Sequence, residues 1–144
     1  MSKEYFRTIY QIIKTGHRIT DQVSMHLKPY GATEPQYNVL RILRFHPEGP
    51  LTVKEIQDQM VQRSSNVSRI IDKLLAKGYV IRKECPTNRR KMDISLTEEG
   101  ADFLKTLDRA LQKLHHPWQH NLNTEELQQL RALIEKLTTV ENEA

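Results

Sequence analysis

The chain has 144 residues, of which 28% are charged and 6% aromatic, and a formal net charge of +4. That length supports one domain with a real core, and the composition favours a helical fold. No apolar run approaches the ~18 residues needed to span a membrane. The opening "MSKEYFRTIYQII" does not read as a secretory leader, and a single Cys85 excludes an internal disulfide and fits a reducing cytoplasm.

The first segment, roughly Lys3 to Lys28, has helical periodicity. Tyr5, Ile9, Ile12, Gly16, Ile19, Val23 and Leu27 recur every three or four residues, and Phe6 and Ile13 widen the stripe. "KPYGA" ends it, because Pro29 and Gly31 resist helix continuation. "TEPQ", Thr33 to Gln36, predicts a capping box that opens a second helix carrying Tyr37, Val39, Leu40, Ile42 and Leu43. That helix is expected to stop at "HPEGP", residues 46–50.

Thr52 to Glu55 predicts another capping box and a short helix with Ile56 and Met60 inward. After a break at "VQRS" a further helix is expected from Ser64 or Ser65. Val67, Ile70, Ile71, Leu74 and Leu75 share one of its faces; Ser65, Ser68, Arg69 and Asp72 share the other. Gly78 is its expected C-terminal stop. Tyr79 to Cys85 reads as a strand, and Met92, Ile94 and Leu96 alternate with polar neighbours as a second, joined to it by "PTNRR". Thr97 caps a long helix with the stripe Leu104, Leu107, Leu111, Leu114 and Trp118. A last helix starts at Asn123 or Thr124 and is expected to bury Leu127, Leu130, Ile134 and Leu137.

Charge is distributed unevenly over these elements. Between residues 63 and 91 the cations are Arg63, Arg69, Lys73, Lys77, Arg82, Lys83, Arg89, Arg90 and Lys91, opposed only by Asp72 and Glu84. The stretch from 92 onward is net acidic. A block of one sign suits a polyanionic partner.

The order helix, break, helix, hairpin describes a winged helix-turn-helix. Its second helix would enter the major groove of duplex DNA, with Ser64, Ser65, Asn66, Ser68, Arg69 and Lys73 as contacts. The hairpin tip, Asn88, Arg89, Arg90 and Lys91, would follow the duplex toward the minor groove or its phosphates.

The run "LTVKEIQDQM…SSNVSRIIDKLLAKGYVIRKECPTNRRKMDISLTEEG", with "YGATEPQYNVLRIL" before it, resembles the winged helix-turn-helix of the multiple-antibiotic-resistance regulator (MarR) family, over about residues 30–104. The family usually has Asp-Arg-Arg at the wing; Asn88 stands in the Asp position, losing the charge but keeping a hydrogen-bond acceptor. The resemblance implies a mainly α fold with a small β-hairpin wing, flanked by N- and C-terminal dimerisation helices. The expected organisation is residues 1–30, an N-terminal dimerisation helix; 31–100, the DNA-binding lobe; and 101–144, the C-terminal dimerisation helices. It also implies a homodimer, and Tyr5, Ile9, Ile12, Leu111, Leu114, Trp118, Leu130, Ile134 and Leu137 are the expected interface. The implied function is a cytoplasmic repressor on a palindromic double-stranded operator, released by a small, often anionic aromatic effector. Tyr10, His17, Tyr37 and Arg41 are pocket candidates by position.

Two other readings compete. One is a winged helix that serves protein contacts, its basic block merely solvated. The other is a metal-responsive regulator using His115, His116 and His120 of "HHPWQH", although surface histidines without further ligands are the commoner case. No nucleophile motif, phosphate loop or HExxH occurs, so neither an enzyme nor a cofactor or metal site is expected. Cys85, at a strand end without a resolving partner, reads as a structural thiol.

Overall fold

The computed structural model describes residues 1–63 and 65–141. In chain order the elements are α1 (Lys3–Leu27), a 3-10 turn (Lys28–Tyr30), α2 (Glu34–Phe45), β1 (Leu51–Thr52), α3 (Val53–Gln59), α4 (Val67–Ala76), β2 (Val80–Cys85), β3 (Asn88–Leu96), α5 (Glu98–His115) and α6 (Thr124–Thr138).

Each helix starts where a side chain can satisfy its free N–H groups. Thr33, Thr52 and Asn123 form reciprocal capping boxes with Gln36, Glu55 and Glu126. Thr97 accepts from Gly100 N–H at 3.0 Å to start α5. The stop of α4 is equally local. Gly78 adopts φ +76, and the N–H groups of Gly78 and Tyr79 donate back to the carbonyls of Leu75 and Leu74, each at 3.0 Å. A left-handed residue at this position suits glycine because it has no Cβ.

The sheet is antiparallel in the order β1-β3-β2. Its third member, β1, has only two residues and pairs Leu51 with Ile94. The sequence reading holds no such strand, since two residues carry no periodicity. The sheet, α2, α3, α4 and α5 share one core. Val39, Leu40, Ile56, Ile71, Leu74, Ile94 and Leu107 are all 0–1% accessible, and Leu27 joins them from the end of α1. Each such side chain contributes about 1.5–3 kcal/mol by leaving water.

The start of α5 is fixed against the corner between α4 and β2. Thr97 Oγ1 donates to Gly78 O at 2.7 Å, and a Cβ on Gly100 would sit 2.0 Å from Tyr79 O. The Tyr79 and Phe103 rings stack beside this contact with centroids 4.3 Å apart.

The last helix departs from expectation. None of its residues is buried, and Leu127, Leu130 and Ile134 are 44–45% accessible. Among the described residues its apolar stripe has no complete partner within the protomer. Conversely, Leu111 and Leu114, expected at a dimer interface, are 3% and 6% accessible. The protomer's own core occupies them, which leaves almost no area for a second chain.

Candidate nucleic-acid interface

α3 and α4 are joined by residues 60–66 and form the two helices of the motif. Helix α4 begins at Val67, later than the sequence suggests, because Asn66 is its cap: Asn66 Oδ1 accepts from Arg69 N–H at 3.1 Å. Asn66 and Ser65 therefore precede the helix rather than lie on it, and the amide oxygen of Asn66 is committed to the backbone. Ser64 lies outside the described residues.

Val67, Ile71 and Leu74 anchor one face of α4 in the core, while Ser68, Arg69, Asp72 and Lys73 are exposed on the other. The 3.6-residue period makes this division unavoidable once the apolar face is buried. Among the described residues no carboxylate comes within ion-pair distance of Arg69 or Lys73. Three other cations of the basic block are engaged. Arg63 pairs with Asp58 at 3.6 Å, Arg82 with Asp72 at 3.3 Å, and Lys77 Nζ donates to Gly31 O at 3.1 Å. The Arg82–Asp72 pair links the wing to α4, but an exposed pair of this kind contributes only ~0–1 kcal/mol.

The hairpin differs from the expected loop. Only Pro86 and Thr87 lie between the strands; Asn88, Arg89 and Arg90 belong to β3. The register places Glu84 opposite Met92 and Cys85 opposite Asn88, so Arg89, Arg90 and Lys91 are extra residues on one strand. A bulge sharpens the local twist and turns its residues out of the ladder. Asn88 Oδ1 accepts from Arg90 N–H at 3.0 Å and so orders this bulge without the charge of an aspartate. All three cations are exposed. Cys85, partly exposed at the end of β2, lies 3.3 Å from Thr87 Oγ1.

The pocket candidates do not converge. Tyr37 and Arg41 line a crevice between α2 and α5 of about 610 Å³, with Asp108, Gln112, His115 and His116. Tyr10 faces a separate groove on α1 beside Lys14 and Arg18, and His17 lines neither. The crevice contains a bond network that the sequence does not announce. Tyr37 Oη donates to Asp108 Oδ1 at 2.6 Å, and Arg41 Nη1 donates to the phenol oxygen at 3.0 Å while lying 3.6 Å from the same carboxylate. Burial, followed by the Asp108 bond, raises the Tyr37 phenol above its ordinary 10.0. Asp108 is 71 positions from Tyr37, and no local pattern marks it.

The His116 and His120 rings are 6.5 Å apart, and His115 packs edge-on against Trp118. Among the described residues no cluster of three His, Cys, Asp or Glu groups assembles. No helix is long and apolar enough to cross a membrane among those residues.

The sequence profile of the MarR family matches residues 32–92. The chain is 30% identical to the HTH-type transcriptional regulator PapX of Escherichia coli over 125 residues, covering 87% of this chain and 76% of that one. It is 28% identical to the multiple antibiotic resistance protein MarR of Salmonella typhimurium, covering 91% and 88%. Among solved structures, a mutant MarR from E. coli complexed with operator DNA superposes with a TM-score of 0.74 at 25% identity, over 92% of this chain and 94% of that one. AbsC of Streptomyces coelicolor gives a TM-score of 0.81 at 20% identity over 95% and 93%, a likeness of fold.

Proposed function

The chain belongs to the MarR family and is a transcriptional regulator of that kind; from this premise we propose that it is a homodimer that binds a palindromic operator and represses transcription until a small ligand releases it. One observation carries the DNA-binding part. Helix α4 and the wing bulge together expose Arg69, Lys73, Arg89, Arg90 and Lys91 on a lobe whose other cations are mostly engaged. Cations without partners keep their full attraction for phosphate and release condensed counterions when they bind it. Ser68 and Arg69, on the first turn of α4, are placed to read base edges. Arg89, Arg90 and Lys91 contact the backbone or the adjoining minor groove. The neighbour that carries operator DNA has the same fold, which supports this placement.

The dimer reading rests on unfilled surface. Tyr5, Phe6, Ile12 and Ile13 on α1 and Leu127, Leu130, Leu133 and Ile134 on α6 are 39–65% accessible, and Ile9 and Leu137 are half-buried beside them. A contiguous apolar area of this kind is unfavourable in water and is removed by a second copy. Leu111 and Leu114 lie in the protomer's own core, and Trp118 is partly buried against it. A two-fold dimer would set the two α4 helices about 34 Å apart, one turn of duplex.

Release needs a ligand that favours a dimer with a different helix spacing, and a coupling of about 1–3 kcal/mol changes affinity roughly 5–150-fold. The α2–α5 crevice is the proposed seat: Arg41 offers a cation to an anionic ligand, and Tyr37 with Asp108 joins the DNA-binding lobe to α5.

Selection of bound duplexes from a random pool, followed by a salt titration, tests the reading. Palindromic half-sites and a log–log salt slope of about −0.9 per phosphate contact are expected. A protein that binds no duplex at low salt would be a protein-contact module instead.

A further inference from the structure

The turn between α3 and α4 exposes one apolar side chain among polar ones. Val61 is 70% accessible, and Gln62 and Arg63 follow it. An exposed valine alone is ordinary. The way its backbone is held is more informative. Val61 N–H donates to Asn38 Oδ1 at 2.9 Å, a bond reaching across from the middle of α2. Further along, the Gln57 side-chain amide donates to Arg63 O, and Ser65 N–H donates to Gln62 O at 3.1 Å. The turn is thus tied to both α2 and α3, with the Val61 N–H directed inward and its side chain left in solvent.

Outside a helix a branched Cβ still restricts χ1, so fixing the backbone narrows where the two methyl groups lie. Holding two methyls rigidly in water does nothing for the isolated protomer. The arrangement serves contact with an apolar group that approaches from solvent six residues ahead of α4. In the major groove the one such group is the thymine 5-methyl, which hydrogen-bonding side chains cannot read. Arg69, exposed on the first turn of the helix that follows and free of any carboxylate within ion-pair distance among the described residues, matches a duplex rather than an apolar protein partner.

We propose that Val61 is a specificity-determining residue that packs on the methyl of a thymine in each half-site, and that Asn38 positions it. This rests on the DNA-binding reading above.

Replacing thymine by uracil removes the methyl and nothing else, so the test is uracil substitution, position by position, in a selected duplex. The chain as it stands should lose about fourfold in affinity at one position per half-site, the value of one methyl leaving an apolar contact. Val61→Ser, at an exposed site, should bind the thymine and uracil duplexes equally, whereas Val61→Thr, which keeps one methyl, should retain part of the thymine preference. Asn38→Ala should shrink the thymine preference, and Asn38→Asp, which keeps an acceptor oxygen, should restore part of it. A general structural weakening would lower both affinities together and leave their ratio unchanged. If uracil has no effect at any position, or if Val61→Ser keeps the preference, the inference is overturned while operator binding stands. Failure to bind any duplex overturns both.

Discussion

The DNA-binding lobe and the helical arm solve the same problem to different extents. In the lobe, Leu40, Ile56, Leu74 and Ile94 are 0% accessible, and the helix starts, the α4 stop and the α5 corner are all hydrogen-bonded. In the arm, α6 buries nothing, and α1 buries only Leu27, where it meets the lobe. The apolar content is similar in kind, and the helices of both regions have capped N-termini. What differs is whether the chain itself supplies the opposing surface. A helix of good sequence forms without covering its apolar stripe only if something else covers it, because helical stability comes mostly from packing.

That contrast is open to attack, and the arm should give the largest response. Leu130→Ala with Ile134→Ala removes two half-exposed apolar side chains from each protomer. The dimer should weaken by about 3 kcal/mol or more, read as a shift to monomer in sedimentation. A dimer unchanged by this pair would place the interface elsewhere. The matching change in the lobe, Ile56→Ala, should cost about 2–5 kcal/mol of folding stability in a thermal or denaturant transition, since the site is closed on all sides. A cost below about 1 kcal/mol would mean that the lobe core is not closed around Ile56.

Next come the cations. Arg69→Ala should cost about 1–3 kcal/mol in operator affinity and relax specificity at one position. Arg89→Ala with Arg90→Ala should weaken all duplexes alike and lower the salt slope by about one per lost phosphate contact. Equal affinities for all three proteins would remove both elements from the docking surface.

The smallest effect is expected within the lobe, where α2 meets α5. Tyr37→Phe deletes the donor to Asp108 and should cost about 0.5–1.5 kcal/mol. Burial and the Asp108 bond raise this phenol, so the folded state favours its neutral form. Its contribution is complete below about pH 10 and is lost as pH rises through the higher folded value. Stability of the unaltered chain should therefore fall more steeply above pH 10 than that of Tyr37→Phe. Parallel pH profiles would mean that the phenol bond does not join the two helices energetically.

Much of this was legible in the residues. "TEPQ" and Thr52 to Glu55 predict the caps found, and Val67, Ile71 and Leu74 predict the buried face of α4. The wing cations were visible as a run, but their status as a bulge was not. Register is a relation between two strands, and Glu84 opposite Met92 is fixed only when both are in place. The start of α4 lies later than the expected Ser64 or Ser65 because Asn66, another capable cap in the same run, is the residue whose side chain accepts from Arg69 N–H.

Local chemistry, then, set where each helix begins and ends, which face of it is apolar and where the positive charge collects, because these depend on neighbours within a few residues. Whether an apolar face would be covered, and by which chain, was decided in three dimensions. Leu111 and Leu130 carry the same side chain at the same kind of helical spacing. One is 3% accessible because α5 lies along the lobe, and the other is 44% accessible because nothing among the described residues lies fully over α6. Burial belongs to the pair of surfaces, and a sequence displays only one of them.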